Sequence, residues 1–503
     1  MNLSVIYGLF ITVTINIFLS HFVTPKPKRI WQRSAGMVLL EIATWLFCFS
    51  VCILIFRRVC FVTIGLISLE LLLVLVNQAK FYSLKEAFIY QDFEYFIDMI
   101  KHPRLYLPFF GVWRTIFASG VFIIAILAGA IIEKPLIFSA ISPECLFFII
   151  ISILIMKYTV KALPKIKLNP NIDIYELGQI AFFWSYWHAE KNVNIDYTKS
   201  IFNNESLAIL DENIKYKNIV VIQSESFFDI RSLSSDIKTN VLSNFDKICL
   251  DATYSGKLSV PAFGADTVRT ECGFLTGLTE QNLDIHKFNP YRKLSKITVP
   301  NVVSHLKKMG YYTVCIHPFS ANFYRRSSVF PLMGFDEFID IKSFDKEKTG
   351  QYIGDLTVAD KIKQLLSNYC ESNKPLFVFA ITMENHGPLH LEKPVADDYN
   401  NFNAEIIGSD FDDLMVYLKH LKNADLMVKE LEMFMKNNKE SNSEDSLLCW
   451  YGDHVPIMSK VYDKLGTPSG DTDYFIWSTN TEDMSKKRDI HVHELAKILI
   501  SHC

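Results

Sequence analysis

Two regimes of apolar patterning divide the chain near residue 157. Before it, apolar residues come in long, nearly unbroken runs; after about residue 216, short apolar runs alternate with segments of helical period. Five early runs (Leu3–Val23, Gly36–Phe56, Val59–Asn77, Thr115–Ile132 and Leu136–Met156) approach the roughly 20 residues that cross a bilayer as a helix. They predict a membrane anchor of about five helices over residues 1–157. The first run has no basic segment ahead of it and no small-residue cleavage site, so it reads as a retained span. The segment Phe81–Trp113 mixes aromatics with Lys85, Asp92, Glu94 and Asp98, which suits a helix lying at headgroup level. Residues 158–215 read as a juxtamembrane linker, with Lys161, Lys165 and Lys167 spaced by Pro164 and Pro170.

Residues 216–503 carry a different pattern, that of an α/β domain with a mostly parallel sheet. Strands are predicted at Asn218–Gln223, Tyr311–Ile316, Pro375–Ile381 and Leu447–Tyr451, with helices at Pro300–Met309 and around Ala424–Met435. Polar residues follow each strand: Ser224–Glu225 the first, His317 the second, Glu384, Asn385 and His386 the third, and Asp453–His454 the fourth. Ligands of open α/β sheets bind beyond the carboxyl ends of the strands. Four strands thus deliver candidate groups to one edge.

Charge and cysteine content narrow the classes. Lys plus Arg total 51 against 54 acids, a balance without the basic excess of a nucleic-acid binder. The ten cysteines show no CxxC spacing, so neither a zinc ribbon nor a thioredoxin-type motif is supported. Positive charge gives conflicting orientations: Lys26, Lys28, Arg29 and Arg33 compete with Arg57 and Arg58 for the cytoplasmic side. With five spans and Arg57–Arg58 inside, the C-terminal domain lies outside.

Glu225, Asp453 and His454 offer two carboxylates and an imidazole, a donor set suited to Mn²⁺, Mg²⁺ or Zn²⁺. An isolated Asp-His pair is commonly structural or a helix cap; here it sits in YGDHVP, directly after an apolar strand. Thr267 follows Phe263-Gly264-Ala265-Asp266, where glycine permits a tight turn into a helix start. A helix start favours a phosphate, although a threonine there also serves as a simple cap.

With these residues in place, the chain resembles the lipoteichoic acid synthase and phosphoglycerol transferase branch of the alkaline-phosphatase/sulfatase superfamily. The matching pieces are NIVVIQSESF (218–227), PAFGADTVRTECGFLTG (261–277), FYRR (323–326), MGFDEF (333–338), ENHGP (384–388) and YGDHVP (451–456). The resemblance covers about residues 215–500, and the anchor ahead of it also looks like that of these synthases. It implies that Glu225, Thr267, Asp453 and His454 hold one divalent metal, Mn²⁺ in the first place, with Thr267 also the nucleophile. It further implies substrate contacts from His317, Tyr324, Arg326 and His386, and a supporting role for Glu271. Phe319 departs from the pattern, which leads one to expect a carboxylate there for glycerol hydroxyls.

The implied reaction moves glycerol phosphate from a phosphatidylglycerol-like lipid donor to an envelope glycan or polymer through phospho-Thr267. The setting is a multi-pass protein of the cytoplasmic (inner) membrane with its catalytic domain outside. A phosphoethanolamine transferase of the same superfamily is the nearest alternative, and an inactive membrane receptor of this fold a more distant one. A true sulfatase would need a C-x-P-x-R context, and Cys272 is followed by Gly-Phe-Leu.

Overall fold

The computed structural model describes the chain apart from residues 1–2, 97–119, 204–213, 346–350, 371–373, 404–407, 481–485, 503 and several positions within 121–132. It forms two compact units, Met1–Val193 and Asn194–Cys503.

In the first unit, α1 (Leu3–Leu19), α2 (Ala35–Phe56), α3 (Val59–Leu84) and α4 (Phe138–Lys161) realise four of the predicted runs. These four described helices are long and apolar enough to cross a membrane. The run predicted at Thr115–Ile132 lies outside the described residues. α3 extends seven residues past the predicted run, through Leu84, because its polar end is helical too: Asn77 is buried there and accepts from the Thr24 backbone N–H at 2.7 Å. Of the segment expected to lie at headgroup level, residues 81–84 complete α3 and Tyr90–Glu94 form a 3-10 turn; residues 97–113 are outside the described set.

The stretch read as a linker contains two helices, α5 (Pro170–Leu177) and α6 (Gln179–Asn192), both inside the first unit. Asn169 caps α5 through its side chain, with Pro170 at the first helical position, where a missing N–H costs nothing. Gly178, at φ +78°, joins α5 to α6.

The second unit holds a nine-stranded sheet: β1 (Asn218–Ser224), β2 (Tyr254–Ser259), β3 (Tyr312–Ile316), β4 (Glu337–Ile339), β5 (Leu376–Ile381), β6 (Ser446–Gly452), β7 (Thr472–Ser478), β8 (Lys486–Lys487) and β9 (Ile490–His491). The order is β4-β3-β5-β1-β6-β7-β2-β8, with β9 also on β2. From β4 to β6 every pairing is parallel; β7 runs antiparallel to β6 and β2. β1 is buried at every position. Its alternate residues serve two cores, Val220 and Ile222 on one face and Ile219 and Val221 on the other, which is why NIVVIQ reads as continuous rather than alternating. α7 (Thr267–Thr276), α8 (Val302–Lys308) and α9 (Arg326–Met333) belong with the second face; the long α10 (Asp412–Asn442) covers the first.

Candidate active site

The carboxyl ends of β1, β5 and β6 meet because these strands pair in register, Ser224 opposite Gly452 and Gln223 opposite Ile381. The next residues of β1 and β6 therefore arrive together. Glu225, Asp453 and His454 are all buried, and each offers a ligand atom within 4.8 Å of the others. His454 Nε2 lies 3.6 Å from Glu225 Oε1 and 3.3 Å from Asp453 Oδ2.

Ser226 ties this cluster together. At φ +53° it turns the chain so that its N–H donates to Asp453 Oδ1 at 2.8 Å and its hydroxyl to Glu225 Oε1 at 3.0 Å. The His454 N–H also donates to Asp453 Oδ1, at 2.9 Å, while Asp453 Oδ2 has no hydrogen-bond partner although it is fully buried. A buried carboxylate oxygen left bare costs free energy that a cation would recover. Burial, then repulsion from Asp453, pushes the Glu225 carboxyl up to about 8. The orphaned oxygen and the hard donor set both fit a divalent metal held by Glu225, Asp453 and His454.

Thr267 is the first residue of α7 rather than its cap. Asp266 (φ +64°) and Gly264 (φ +75°) make the turn that sets it there, and Asp266 is fixed by an ion pair to Arg269 at 3.0 Å. Thr267 Oγ1 sits 3.5 Å from His454 Nε2. One turn later, Thr270 donates its hydroxyl to the Asp453 carbonyl oxygen at 2.7 Å, locking α7 to the end of β6.

The remaining predicted residues form a second, connected group. Arg326 is buried; its Nη2 donates to Glu271 Oε2 at 2.8 Å and its Nε to both Glu271 oxygens at 3.2 Å. Its Nη1 meets His317 Nε2 at 3.1 Å, and His317 Nδ1 faces the Ile381 carbonyl oxygen at 3.3 Å. A carbonyl can only accept, so Nδ1 carries the proton and Nε2 accepts from the guanidinium. Burial and then the Arg326 charge hold His317 well below the usual histidine range, which keeps it neutral. Arg325 is exposed, whereas the Tyr324 ring lies 5.3 Å from the Arg326 guanidinium carbon. His386 Nδ1 faces the Gly387 carbonyl oxygen at 2.6 Å, so its Nε2 is free to accept a proton; burial lowers this histidine as well. Phe319 is half-buried, its ring 6.2 Å from His317 and 6.5 Å from Tyr352, whose hydroxyl is 3.4 Å from His386.

Two contributors, Ser226 and Tyr291, were not singled out in the sequence, and a third, Asn385, was named only with its neighbours. Ser226 organises the metal cluster, and Tyr291 donates its hydroxyl to Glu271 Oε1 at 2.5 Å, steadying the Arg326 partner. Asn385 is buried with both amide atoms unpartnered. Ser226 and Asn385 lie inside the quoted motifs; Tyr291 has no local signal.

A mostly parallel α/β sheet with a carboxylate–imidazole cluster and a helix-start threonine at its carboxyl edge defines an enzyme of the alkaline-phosphatase type, a class that includes phosphotransferases. The family model described as Sulfatase matches residues 217–502, and the chain belongs to that family. Two curated relatives are a capsular polysaccharide biosynthesis protein, RkpI, of Rhizobium meliloti (strain 1021), 24% identical over 82% of this chain and 76% of its own, and lipoteichoic acid synthase 1 of Bacillus subtilis (strain 168), 26% identical over 48% of this chain and 37% of its own. The second relative agrees with the branch expected from the motifs. Among solved structures, a Streptococcus pyogenes phosphoglycerol transferase, GacH, in complex with sn-glycerol-1-phosphate, superposes with TM-score 0.48 at 23% identity, covering 61% of this chain and 78% of that one.

Proposed function

We propose that the protein transfers a phosphoglycerol group from a membrane lipid to an envelope glycan or polymer, with Thr267 as nucleophile. The observation that carries this reading is the placement of Thr267 Oγ1, at a helix start and 3.5 Å from His454 Nε2 within the carboxylate–imidazole cluster. A threonine hydroxyl attacks phosphorus poorly unless its alkoxide is stabilised. A divalent metal held by Glu225, Asp453, His454 and Thr267, Mn²⁺ in this reading, would supply that stabilisation and neutralise phosphoryl charge.

In the first half-reaction, Thr267 Oγ1 attacks the phosphorus of a phosphatidylglycerol-like diester. The bond to the diacylglycerol oxygen breaks, and diacylglycerol leaves carrying the proton that Thr267 loses. In the second, an acceptor hydroxyl gives its proton to His386 Nε2 and attacks phospho-Thr267; the bond from phosphorus to Thr267 Oγ1 breaks, and the threonine oxygen regains a proton from His386. Arg326 holds the phosphoryl oxygens through the N–H groups not committed to Glu271 and His317. The four apolar helices keep the site beside a donor that stays in the bilayer, with the catalytic unit on the extracytoplasmic face of the cytoplasmic membrane. The names of the two curated relatives support an envelope polysaccharide or teichoic-acid acceptor.

Phe319 favours a second reading, phosphoethanolamine transfer, because a phenyl ring cannot accept from a glycerol hydroxyl. The test is diacylglycerol release by the full chain in vesicles of phosphatidylglycerol or phosphatidylethanolamine with added Mn²⁺. Release from phosphatidylglycerol, absent in Thr267→Ala at unchanged metal content, is the expected result. Turnover by Thr267→Ala would remove the nucleophile, and release from phosphatidylethanolamine alone would reassign the donor.

A further inference from the structure

The membrane unit buries ionisable groups that an anchor does not need. On α1, Gly8, Thr12, Asn16 and Ser20 recur every four residues through the helix and the turn that follows it, and all are buried, so they share one face. Both ends of this row are placed by contacts. Gly8 packs against Phe49 of α2 and against Val59 and Thr63 of α3, and the Ser20 hydroxyl donates to Glu41 Oε1 of α2 at 3.0 Å. Asn16 lies between them and faces the same seam.

Helical register completes the picture. α1 and α3 run parallel, since Gly8 meets Val59–Thr63 and Thr24 meets Asn77. At 1.5 Å per residue, Asn16 then stands level with residues 67–71 of α3, the turn that holds Glu70. α2 runs the other way, with Phe49 beside Gly8 and Glu41 beside Ser20, which puts Glu41 about one turn beyond Asn16. Glu41 and Glu70 are within electrostatic reach of one another.

Among the described residues, the fixed charges near this level do not balance once Glu70 is ionised. Glu41 Oε2 accepts from Arg33 Nη1 at 2.9 Å, a fully buried pair that accounts for one carboxylate. Glu70 is 0% exposed, and neither of its oxygens has a hydrogen-bond partner; Asn16 is 0% exposed, and neither atom of its amide has one. No hydrogen bond joins Glu70 to Asn16. The two groups stand apart at one level of a helical seam. Intramembrane carboxylates face interior sites and mark bound ions or proton paths, because an unpaired charge there is expensive.

We propose that Glu70, Asn16 and Glu41 form a binding site for one monovalent cation inside the membrane unit. The valence follows from charge: Arg33 offsets Glu41, so one positive charge offsets Glu70, while a divalent ion would leave an excess. Glu70 and the Asn16 carbonyl oxygen are the principal ligands, and Glu41 contributes field strength while bonded to Ser20 and Arg33. The site is separate from the catalytic cluster and independent of the donor assigned above.

The test is binding of radioactive ²²Na⁺ to the full chain in detergent micelles, from pH 6 to 9, with Mn²⁺ present to occupy the catalytic cluster. The expected result is saturable binding near one ion per chain, lost in Glu70→Gln and weakened about tenfold or more in Asn16→Ala. Saturating NaCl should also raise the unfolding temperature of the wild type by about 5 °C over N-methylglucamine chloride at equal ionic strength. Should Glu70→Gln fail to fold, Asn16→Ala and the wild-type titration still decide. Absence of saturable binding across the pH range would mean that Glu70 carries a proton instead and would overturn the proposal, as would unchanged binding in Glu70→Gln.

Discussion

Each unit contains a buried arginine–glutamate pair of nearly equal length, Arg326–Glu271 at 2.8 Å in the catalytic unit and Arg33–Glu41 at 2.9 Å in the membrane unit. Their surroundings differ. Around Arg326 the network is closed: Glu271 takes two guanidinium nitrogens and the Tyr291 hydroxyl, and His317 takes the third nitrogen. Around Arg33 it is open, with Nε and Nη2 both unpartnered and the guanidinium pressed against Gly178. A closed network fixes one side chain in one place, which suits the phosphoryl contact proposed for Arg326. An open one leaves two donors unused and holds its carboxylate partner less firmly.

The comparison breaks hardest where the closed pair is cut. Glu271→Ala leaves a buried guanidinium and a buried phenol without their carboxylate, and should cost about 3–5 kcal/mol in chemical denaturation of the catalytic unit. Glu41→Ala removes the bonds from Arg33 and Ser20 in a network already half open and should cost less, about 1–3 kcal/mol. Equal losses would dissolve the distinction.

Arg326→Lys tests what the fixed guanidinium is for. Lysine keeps the charge but cannot bond Glu271, His317 and a phosphate at once, so kcat/KM should fall about 100-fold, or about 2.7 kcal/mol, in a folded variant. A loss under threefold would show that Arg326 does not reach the transferring group.

The metal cluster gives a smaller, graded effect. A metal held by Glu225, as proposed, would have to displace the proton that burial and Asp453 keep on it below about pH 8. Affinity should therefore rise about tenfold per pH unit from pH 6 to 8 and level off above. Calorimetry in buffers of different ionisation enthalpy should find about one proton released per metal near pH 7. Release of none would remove Glu225 from the ligand set.

His317 gives the smallest effect. Its folded-state affinity for protons is depressed, so below the ordinary histidine pKa of 6.5 the unfolded chain binds a proton that the native protein does not. Stability then falls as pH drops below 6.5, by at most about 1.4 kcal/mol per unit from this residue. Wild type should lose more stability than His317→Gln between pH 7.5 and 5.5, and identical losses would show that His317 takes up its proton in the fold.

The two pairs also show what the chain discloses before it folds. The four central strands were legible because parallel strands buried on both faces read as apolar runs, and the residues just beyond them fall at the sheet's carboxyl edge for the same reason. The partner of Arg326 was not legible as such: Glu271 sits 55 positions away and meets it only after α7 and α9 pack on one face of the sheet. Tyr291 is hidden likewise. In the membrane unit, Asn16, Glu41 and Glu70 disappear into the apolar average of their runs, although the four-residue recurrence of Gly8, Thr12, Asn16 and Ser20 was there to be read. Helix α5 carried a signal as well, the Asn169-Pro170 start, within a stretch that its lysines and prolines made look like a linker.

The central claim is that Thr267 carries the group in transit. The most direct measurement is mass spectrometry of the peptide containing Thr267 after the full chain, loaded with Mn²⁺, meets phosphatidylglycerol vesicles without an acceptor. The account predicts a glycerol-phosphate adduct on Thr267 that disappears when acceptor is added. An adduct on another residue, or diacylglycerol release with Thr267 unmodified throughout, would contradict it.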